Sequence, residues 1–349
     1  MIKRWSSITH PRGWWRAAIL VWCSMLLCAP GAHAQHFWDL FSTAYTTNVL
    51  AWTRHNDNPV IGPSGSTWKS HGTGSPEFLE FQGRTFLFYR GNGVLPGKGK
   101  TSSDRIGVAE LLDIGTMRLK YRDLNRGFPV IDVGAAGEFD DAGVQGPAAV
   151  AFKGQVYLYY SATGKGPRSI GLAVSADGEQ FRKIGPVLEG HGPDVLVVRD
   201  TLYMIYQKAD PAGYKVYLAY SLDGEKFISV SDHPVFSGAE GRWDAKSIST
   251  PRIWVSGGVY YMLYGGSTDY VDEPEFFGLA RSKDLRKWDV HPGNPVFGAG
   301  VHGTADGGAV WCPAINETEN WFVLLYEGSR GKYNWDLLPS ICMAWIAKR

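Results

Sequence analysis

The side chains that could do chemistry in this chain stand directly after a proline that recurs five times. The residues at that position are Glu77, Ala148, Asp194, Arg252 and Ala314. Two carboxyl groups held near each other can act as a general acid and a general base when one is protonated and the other ionised. A neighbouring arginine favours the ionised form of its partner. This position therefore supplies two candidate bases, Glu77 and Asp194, and a candidate partner for them, Arg252.

The proton donor of such a pair is expected among other acids near the same prolines. Asp306 and Glu327 are the candidates for this role, and Asp141 is the candidate for a third carboxylate that orients the reacting groups. Polar and aromatic residues nearby are candidates for substrate binding: His71, Arg90, Gln145, Asp244, Arg252, Asp269, His302 and Trp311. Because aromatic faces stack on sugar rings and carboxylates accept hydrogen bonds from hydroxyl groups, this collection favours a carbohydrate site.

Some of these acids also have a structural interpretation. Asp140, Asp244 and Asp306 each stand seven residues before one of the recurring prolines, and Lys69 holds that place in the first copy. A residue that is repeated in this way more often caps a turn than takes part in a reaction that happens once. A turn cap is therefore the favoured interpretation of Asp140 and Asp244, and both interpretations stay open for Asp306.

A repeated pair of strands must position these residues. Each recurring proline is followed thirteen residues later by a tyrosine, and the five pairs are Pro76 and Tyr89, Pro147 and Tyr160, Pro193 and Tyr206, Pro251 and Tyr264, and Pro313 and Tyr326. A residue that tolerates tight turns, such as Gly83 or Gly154, stands between the two. The pattern predicts five hairpins of two short strands, here called copies of one unit.

Each unit continues with a third strand around a central alanine and a fourth element that ends in Pro-Val. Four strands repeated around an axis is the plan of a β-propeller, which leaves few free sheet edges. The fifth unit has three strands, and its fourth is expected from the segments Ala51–Trp52 and Asn58–Val60 near the start of the chain. The sequence therefore predicts an all-β fold, a five-bladed β-propeller of four-stranded blades that an N-terminal strand closes.

The two faces of this propeller differ in the lengths of their loops. From the tyrosine to the central alanine the chain takes between 13 and 20 residues, whereas the turn within each hairpin hardly changes. Length variation on one face of a repeat protein marks its binding surface. We therefore expect the site on the face that carries the recurring prolines and the residues after each tyrosine.

The start of the chain has the pattern of an export signal. Basic residues are followed by an apolar run and by Ala32-His33-Ala34, a pattern typical of signal-peptidase cleavage. We expect residues 1–34 to be a signal peptide and residues 35–349 to form a single propeller domain. The mature protein is then exported, to the periplasm or the extracellular space, and needs no membrane contact after the signal is removed.

Composition excludes several other classes of function. The net charge is +1 and no basic stripe is present, so we expect no binding of nucleic acid. No metal-binding motif occurs, and we expect neither a cofactor nor a metal. Cys312 and Cys342 remain in the mature chain, where they could form a disulfide or stay as buried thiols. The expected partner is a carbohydrate substrate, and the expected oligomeric state is a monomer.

Several segments resemble the five-bladed glycosidases of glycoside hydrolase families 43, 32 and 130. Val144–Tyr160 is similar to the family 43 segment that carries the general acid, and Thr250-Pro251-Arg252 and Gly278–Trp288 resemble other blade phrases of these enzymes. The resemblance implies hydrolysis of glycosidic bonds, most readily with inversion. It departs from the families because no acid stands directly before a recurring proline and because Gln145 stands where family 43 has its general acid.

Three hypotheses follow from the residues and the resemblance together. The leading one is a secreted glycoside hydrolase whose carboxyl groups lie in the central funnel of the propeller. The second is a propeller that binds glycans without cleaving them, which Gln145 at the acid position favours. The third is phosphorolysis, for which Arg90, His71 and Arg252 could bind phosphate beside one carboxylate.

Overall fold

A computed structural model of the protein describes residues 37–65, 67–94, 102–114, 118–210, 213–269, 274–331 and 338–348. Within these ranges the chain is almost entirely β, and its strands form five antiparallel sheets that are the blades of a propeller. The predicted fold is therefore confirmed. The predicted signal peptide lies outside the described residues. No helix among the described residues is long and apolar enough to cross a membrane.

The strands are numbered in chain order, and each blade is given from its inner to its outer strand. Blade 1 consists of β2 (Gly72–Phe81), β3 (Arg84–Gly93), β4 (Ser103–Asp113) and β5 (Lys120–Asp123). Blade 2 consists of β6 (Gly143–Phe152), β7 (Gln155–Thr163), β8 (Ser169–Ser175) and β9 (Arg182–Glu189). Blade 3 consists of β10 (His191–Val198), β11 (Thr201–Asp210), β12 (Gly213–Ser221) and β13 (Ile228–Ser229).

Blades 4 and 5 each depart slightly from this plan. Blade 4 consists of β14 (Ser247–Ser256), β15 (Val259–Ser267), β16 (Phe276–Ser282) and β17 (Asp289–Val290), and a further short strand, β18 (Phe297–Gly298), also pairs with β16. Blade 5 consists of β19 (Ala309–Glu317), β20 (Trp321–Ser329), β21 (Ser340–Ala347) and β1 (Thr53–Arg54). A short α-helix, α1 (Tyr45–Leu50), precedes β1.

The N-terminal strand closes the ring, as the sequence predicts. Thr53 pairs with Trp345, and Arg54 pairs with Ala344, the central alanine of β21. Farther along, Ile61 forms a bridge to Ile341. The paired residues thus lie just after each of the two segments that the sequence indicated.

The Pro-Val motifs return each chain segment to the third strand of its own blade. The residue after the valine bridges back to that strand in all five blades, and the bridges are Ile61 to Ile341, Ile131 to Ile106, Leu188 to Ile170, Phe236 to Val216, and Phe297 to Phe277. This shared bridge explains why the motif recurs. The motif pairs the chain with the same part of the third strand in every blade before the chain crosses to the next blade.

Every inner strand is kinked at the recurring proline. The residue before it adopts a left-handed backbone conformation in all five blades, with φ of 48° at Ser75, 57° at Gly146, 56° at Gly192, 44° at Thr250 and 49° at Cys312. The strand pairing shifts register at the same place in each blade. Such bulges redirect the next side chain, and left-handed non-glycine residues are strained by roughly 1–3 kcal/mol each. Three of these five residues are not glycine, and one of them, Ser75, lies two residues before the candidate base Glu77.

Aromatic side chains from the N-terminal segment pack against blades 4 and 5. The ring of Phe37 lies 4.7 Å from that of Phe322 and 5.2 Å from that of Trp254, measured between centroids. The guanidinium of Arg281 stacks 4.1 Å over the ring of Trp38. These contacts anchor the segment ahead of β1, so the closing strand is held from both of its ends.

Candidate functional site

A single arginine connects four of the five blades at the centre of the propeller. Arg252, on β14 of blade 4, donates hydrogen bonds to the carbonyl oxygens of Pro193 in blade 3, at 2.8 Å, and Pro147 in blade 2, at 3.1 Å. Its Nη1 lies 3.7 Å from Asp194 Oδ1, and its Nε lies 3.8 Å from Glu77 Oε2 in blade 1. The three residues that the sequence placed at one repeated position therefore meet at the axis.

Asp194 is held rigidly on β10. One carboxylate oxygen accepts the N–H of Val195 at 3.0 Å, and the other accepts the N–H of Ile253 from the neighbouring blade. Its side chain is only 5% exposed. Burial raises the pKa of Asp194 to about 6, while Arg252 and the two backbone donors oppose that rise. At neutral pH the ionised form therefore predominates.

Glu77 is the second carboxyl group of the cluster and is the more perturbed of the two. Burial, and next the Asp194 carboxylate, raise the pKa of Glu77 to about 8, although Arg252 acts in the opposite direction. The carboxyl group is therefore protonated at neutral pH. Its side chain is 12% exposed. With one protonated acid, one carboxylate and one guanidinium, the cluster carries no net charge, and it contains the acid and base that acid–base catalysis requires.

A second buried cluster joins blades 1 and 5. Arg90, directly after the blade 1 tyrosine, pairs through Nη2 with Glu327 Oε1 at 2.5 Å and through Nη1 with Asp104 Oδ1 at 2.9 Å. The other Glu327 oxygen accepts the N–H of Ser75 at 3.0 Å. Burial raises the pKa of Glu327 above its ordinary value, and Arg90 opposes this. Two of the predicted residues, Arg90 and Glu327, thus bind each other.

Ser75 and Cys312 lie between the two clusters. The Cys312 thiol contacts the Ser75 hydroxyl at 3.4 Å, and that hydroxyl in turn lies 3.4 Å from Glu327 Oε2. Burial, and next the charge of Glu327, raise the pKa of Cys312 to about 12, so the thiol is protonated. Cys312 and Cys342 are both free and buried, which decides between the two alternatives left open by the sequence.

In three blades the residue after the tyrosine secures the next blade. Its side chain accepts the N–H of the left-handed residue there: Glu327 from Ser75, Ser161 from Gly192 at 2.8 Å, and Gln207 from Thr250 at 2.9 Å. Blade 4 has no side chain at this place, and there the Thr250 hydroxyl accepts the N–H of Cys312 at 3.0 Å. These bonds fix the inner strands around the axis and therefore preorganise the two clusters.

Asp306, a sequence candidate for the proton donor, lies outside both clusters. It binds Arg54 of the closing strand and the hydroxyl of Tyr326, each at 2.7 Å. These bonds keep the pKa of Asp306 below its ordinary value despite burial, which alone would raise it. An acid that is ionised in this way does not fit the predicted role, and its bonds to the side chains of Arg54 and Tyr326 give it a structural role instead.

The same arrangement recurs for Asp244, a predicted substrate-binding residue. It is fully buried, binds Arg242, and accepts a hydrogen bond from the hydroxyl of Tyr264 at 3.1 Å. No part of it reaches a surface that a substrate could touch. Asp244 therefore has a structural role, as the sequence favoured, but its bonds run to the side chains of Tyr264 and Arg242 and not to a turn.

In blade 1 the charges of this arrangement are exchanged. Lys69 holds the place of the aspartate and binds both the hydroxyl of Tyr89, at 2.9 Å, and Asp123, at 2.7 Å. Asp123 stands opposite the central alanine, where blade 2 has Lys183, the partner of Asp140. Both blades thus contain an ion pair at this place, but the acidic and the basic residue have exchanged positions.

The remaining predicted residues lie on the rim or away from the axis. Asp141 accepts the N–H of Gly137 at 2.6 Å and so closes its own loop. His71, His302 and Asp269 are exposed. Gln145 and Trp311 are half-buried and occupy equivalent places two residues before their prolines, so both stay candidates for the rim of the funnel.

Sequence reasoning missed three polar residues of the clusters. Ser75 and Cys312 occupy the left-handed position before the proline, a repeated place that a search for acids passes over. Asp104 belongs to the start of β4, where the repeat carries no distinctive signal. Within the described part of the chain, no group of three or more His, Cys, Asp and Glu residues is arranged to hold a metal ion.

The fold can be compared with proteins of known structure. No protein-family model and no curated protein matches the sequence. A glycosyl hydrolase from Bacteroides ovatus has a TM-score of 0.62 and 15% identity, with 84% of this chain and 93% of that chain covered. β-1,2-Mannobiose phosphorylase from Listeria innocua has a TM-score of 0.62 and 14% identity, with 85% and 96% covered.

A third similar structure comes from work on glycoside hydrolase family 130 that describes hydrolases targeting β-1,2-mannosidic linkages in Candida mannan. Its TM-score is 0.62 at 15% identity, with 84% of this chain and 93% of that chain covered. Matches of this length and low identity show that the chain shares the five-bladed propeller fold of these proteins. The resemblance that the sequence suggested is thus confirmed for the fold.

Proposed function

We propose that the protein is a glycoside hydrolase that works through Glu77 and Asp194. The observation that carries this proposal is that both carboxyl groups lie within 4 Å of the Arg252 guanidinium, at the axis of a fold shared with glycoside hydrolases. Glycosidases need two carboxyl groups across the scissile bond, one protonated and one ionised. Glu77 and Asp194 meet that requirement at neutral pH.

In the proposed reaction Glu77 is the general acid. It donates its proton to the oxygen of the leaving sugar as the glycosidic bond breaks, and Asp194 accepts a proton from the water that attacks the anomeric carbon. The products are two hydroxyl-bearing sugars, and the proton taken up by Asp194 replaces the one that Glu77 lost. Inversion, which the resemblance to the glycosidases favours, needs carboxyl groups ~6.5–9.5 Å apart, whereas retention needs ~5–5.5 Å.

The second cluster has a binding role in this proposal. Glu327 and Asp104 keep free lone pairs beside the Arg90 guanidinium, and Glu327 is fixed by the N–H of Ser75. Carboxylates held in this way accept hydrogen bonds from sugar hydroxyl groups without further ordering, which lowers the entropy lost on binding. Gln145 and Trp311 would contact the same ligand from the rim.

A glycan-binding protein without catalysis is the second candidate. The narrow exposure of Glu77, 12%, favours it, because a general acid must reach the leaving oxygen. Gln145, at the position where related enzymes carry an acid, favours it as well. In this alternative the Glu77, Asp194 and Arg252 cluster only ties four blades together.

The test is a screen of purified protein against aryl glycosides and polysaccharides, with and without phosphate. Glu77→Gln and Asp194→Asn are run beside Asp141→Asn, a carboxylate outside both clusters. Sugar release by the wild type and the control, abolished in the first two variants, would support the hydrolase. Binding without release would support the second candidate, and release that requires phosphate would contradict both.

A further inference from the structure

One hydrogen-bond donor of Arg252 is not used in the structure. Its Nη1 and Nη2 groups donate to the carbonyl oxygens of Pro193 and Pro147, which fixes the plane of the guanidinium. The remaining donor, Nε–H, is buried and has no hydrogen-bond partner among the described residues. Its nitrogen lies 3.8 Å from Glu77 Oε2, and a movement of about 1 Å would bring the two atoms within hydrogen-bond distance. Since a buried donor without a partner is costly, this N–H is a candidate for a role in function.

A second buried arginine shows the same arrangement with its Nε bond formed. Arg105, in blade 1, also binds main-chain carbonyl oxygens, those of Gly93 at 3.1 Å and Ser103 at 3.2 Å, both through Nη1. Its Nε donates a hydrogen bond to Asp132 Oδ1 at 2.6 Å. An arginine held by backbone carbonyls in this fold can therefore also bind a carboxylate through Nε, and at Arg252 that bond has not formed.

The two acids of the cluster differ in the donors that surround them. Asp194 accepts a backbone N–H at each of its carboxylate oxygens. For Glu77 the described residues supply one backbone donor, the N–H of Ala149 in blade 2. An ionised Glu77 would therefore lack the second fixed donor that Asp194 has. The Nε–H of Arg252 is the nearby group that could supply it.

The proposed reaction moves a negative charge from one neighbour of Arg252 to the other. Before the reaction Asp194 is ionised, and its Oδ1 lies 3.7 Å from Arg252 Nη1. When Glu77 gives its proton to the leaving oxygen and Asp194 takes one from water, the charge has passed to Glu77. The net charge of the three groups is unchanged, because the arginine keeps its own protons. A donor that binds only the newly formed carboxylate stabilises the transition state more than the resting state.

From these contacts we propose that Arg252 assists the reaction through Glu77, by donating its Nε–H to the Glu77 carboxylate as that group loses its proton. The bond replaces part of the energy that Glu77 loses on ionising in a buried place. The inference rests on the proposed function, because it assigns a step of that reaction to a further residue of the same cluster. In this role Arg252 does more than tie four blades together.

The test compares two glycosides of the sugar that the screen identifies, with leaving groups that need acid catalysis to different degrees. An alkyl alcohol leaves only when its oxygen is protonated, whereas dinitrophenolate leaves readily without a proton. Arg252→Lys retains the positive charge and removes the Nε–H. We expect its kcat/KM to fall by about 10- to 100-fold on the alkyl glycoside, the worth of one charge-assisted hydrogen bond, and by less than about threefold on the dinitrophenyl glycoside.

Arg105→Lys is the matched control, because Arg105 is a buried arginine with the same kinds of partners and lies outside both clusters. It should leave the ratio of the two activities at the wild-type value. Glu77→Gln should change that ratio in the same direction as Arg252→Lys. Adding Arg252→Lys to Glu77→Gln should change it no further, because no carboxylate then forms for the arginine to bind.

Equal losses of Arg252→Lys on both glycosides would overturn the inference and leave the proposed function standing, since Arg252 would then only hold the blades together. A wild-type ratio in Glu77→Gln would instead contradict the proposed function, because Glu77 would not be the acid.

A measurement on the unaltered arginine decides the matter if Arg252→Lys does not fold. Heteronuclear NMR of the arginine Nε–H groups follows the bond directly while Glu77 ionises. One Nε–H resonance should move downfield as the pH rises through the pKa of Glu77, about 8, and Glu77→Gln should abolish that movement. A wild-type protein in which no Nε–H resonance behaves in this way would overturn the inference.

Discussion

Glu77 and Arg252 come from blades 1 and 4, and their side chains lie 3.8 Å apart across the propeller axis. The contact links parts of the chain that are far apart in sequence. It also places a carboxyl group that is protonated at neutral pH beside a permanent cation. A purely structural contact would favour an ionised glutamate, because the ionised form would bind the arginine more strongly. A protonated carboxyl group at this place is what the proposed acid catalyst requires.

Replacing the acidic proton donor Glu77 should slow catalysis strongly and leave the fold intact. Glu77→Gln preserves the shape of the side chain and a neutral charge state but cannot donate an acidic proton. We expect kcat/KM to fall by about 10²–10⁴, the range typical of a lost general acid. Steady-state kinetics on the substrate identified by the screen measures this, with Asp141→Asn as the control. Activity of Glu77→Gln near that of wild type would exclude Glu77 as the acid.

The pH profile should report both carboxyl groups of the cluster. Asp194 must be ionised and Glu77 protonated, so kcat/KM should rise with an apparent pKa near 6 and fall again near 8. These values belong to the coupled pair and not to either residue alone. In Glu77→Gln the residual activity should lose the alkaline limb and keep the acid limb. A profile of the variant with both limbs unchanged would contradict the assignment.

The ion pair that closes the ring should make stability depend on pH. Asp306 has a lowered pKa in the folded protein, so its contribution is present above the unfolded value of 3.8 and is lost as pH falls through the folded value. Arg54→Gln leaves the buried Asp306 charge without its partner and should destabilise the protein by about 3 kcal/mol at pH 7. Denaturant unfolding should show this difference shrinking in strong acid.

Arg122→Gln is the control for the closing pair, since Arg122 is exposed and binds Glu110 at the surface. Its effect should stay within about 1 kcal/mol at any pH. A pH-independent difference between Arg54→Gln and wild type would mean that Arg54 acts through packing and not through its charge.

The exchanged ion pair of blade 1 allows a double-mutant test. Lys69→Asp alone would place two acids together, and Asp123→Lys alone would place two cations together. The double variant recreates the direction seen between Asp140 and Lys183 in blade 2. We expect each single change to destabilise the protein and the double variant to regain about 0.5–3 kcal/mol as coupling energy. Additive losses, measured by denaturant unfolding, would show that the two side chains act independently.

Two equivalent tyrosines should respond in opposite ways to loss of the hydroxyl group. The hydroxyl of Tyr206 is buried without a partner, because blade 3 has Pro186 where blades 2, 4 and 5 have the aspartate and blade 1 has Lys69. Tyr206→Phe should therefore stabilise the protein by about 1 kcal/mol. Tyr264→Phe loses the bond to Asp244 and should destabilise it by a similar amount. Thermal unfolding measures both, and a loss of stability in Tyr206→Phe would reveal a partner for that hydroxyl.

The repeat made the fold predictable from sequence. Five copies in phase specify both strand order and blade number, and the Pro-Val motif near residue 60 indicates which segment closes the ring. The cluster of Glu77, Asp194 and Arg252 was also accessible, because all three occupy one repeated position. Equivalent positions on the inner strands of a closed ring all lie near the axis.

The roles of individual acids could not be read from the sequence in the same way. Asp306 was a candidate donor until its partner Arg54 was known, and the two are separated by most of the chain. Glu77 was considered as a base, yet burial beside Asp194 makes it the protonated member of the pair. The pKa of a carboxyl group depends on the charged and buried residues around it. In this fold those residues come from other blades and meet only in the closed ring.

The closing strand also determines the order in which the molecule can be assembled. Arg54 pairs with Ala344, so the ring stays open until nearly the whole described chain has been synthesised. Blades 1 to 4 contain all of their own strands and can form as the chain emerges, whereas β1 has no partner until β21 has been made. Until β1 and β21 pair, β21 has an unpaired edge, the kind of surface that recruits strands from other chains. A second molecule could supply the missing strand, so crowded or slow synthesis should favour strand-exchanged dimers over monomers.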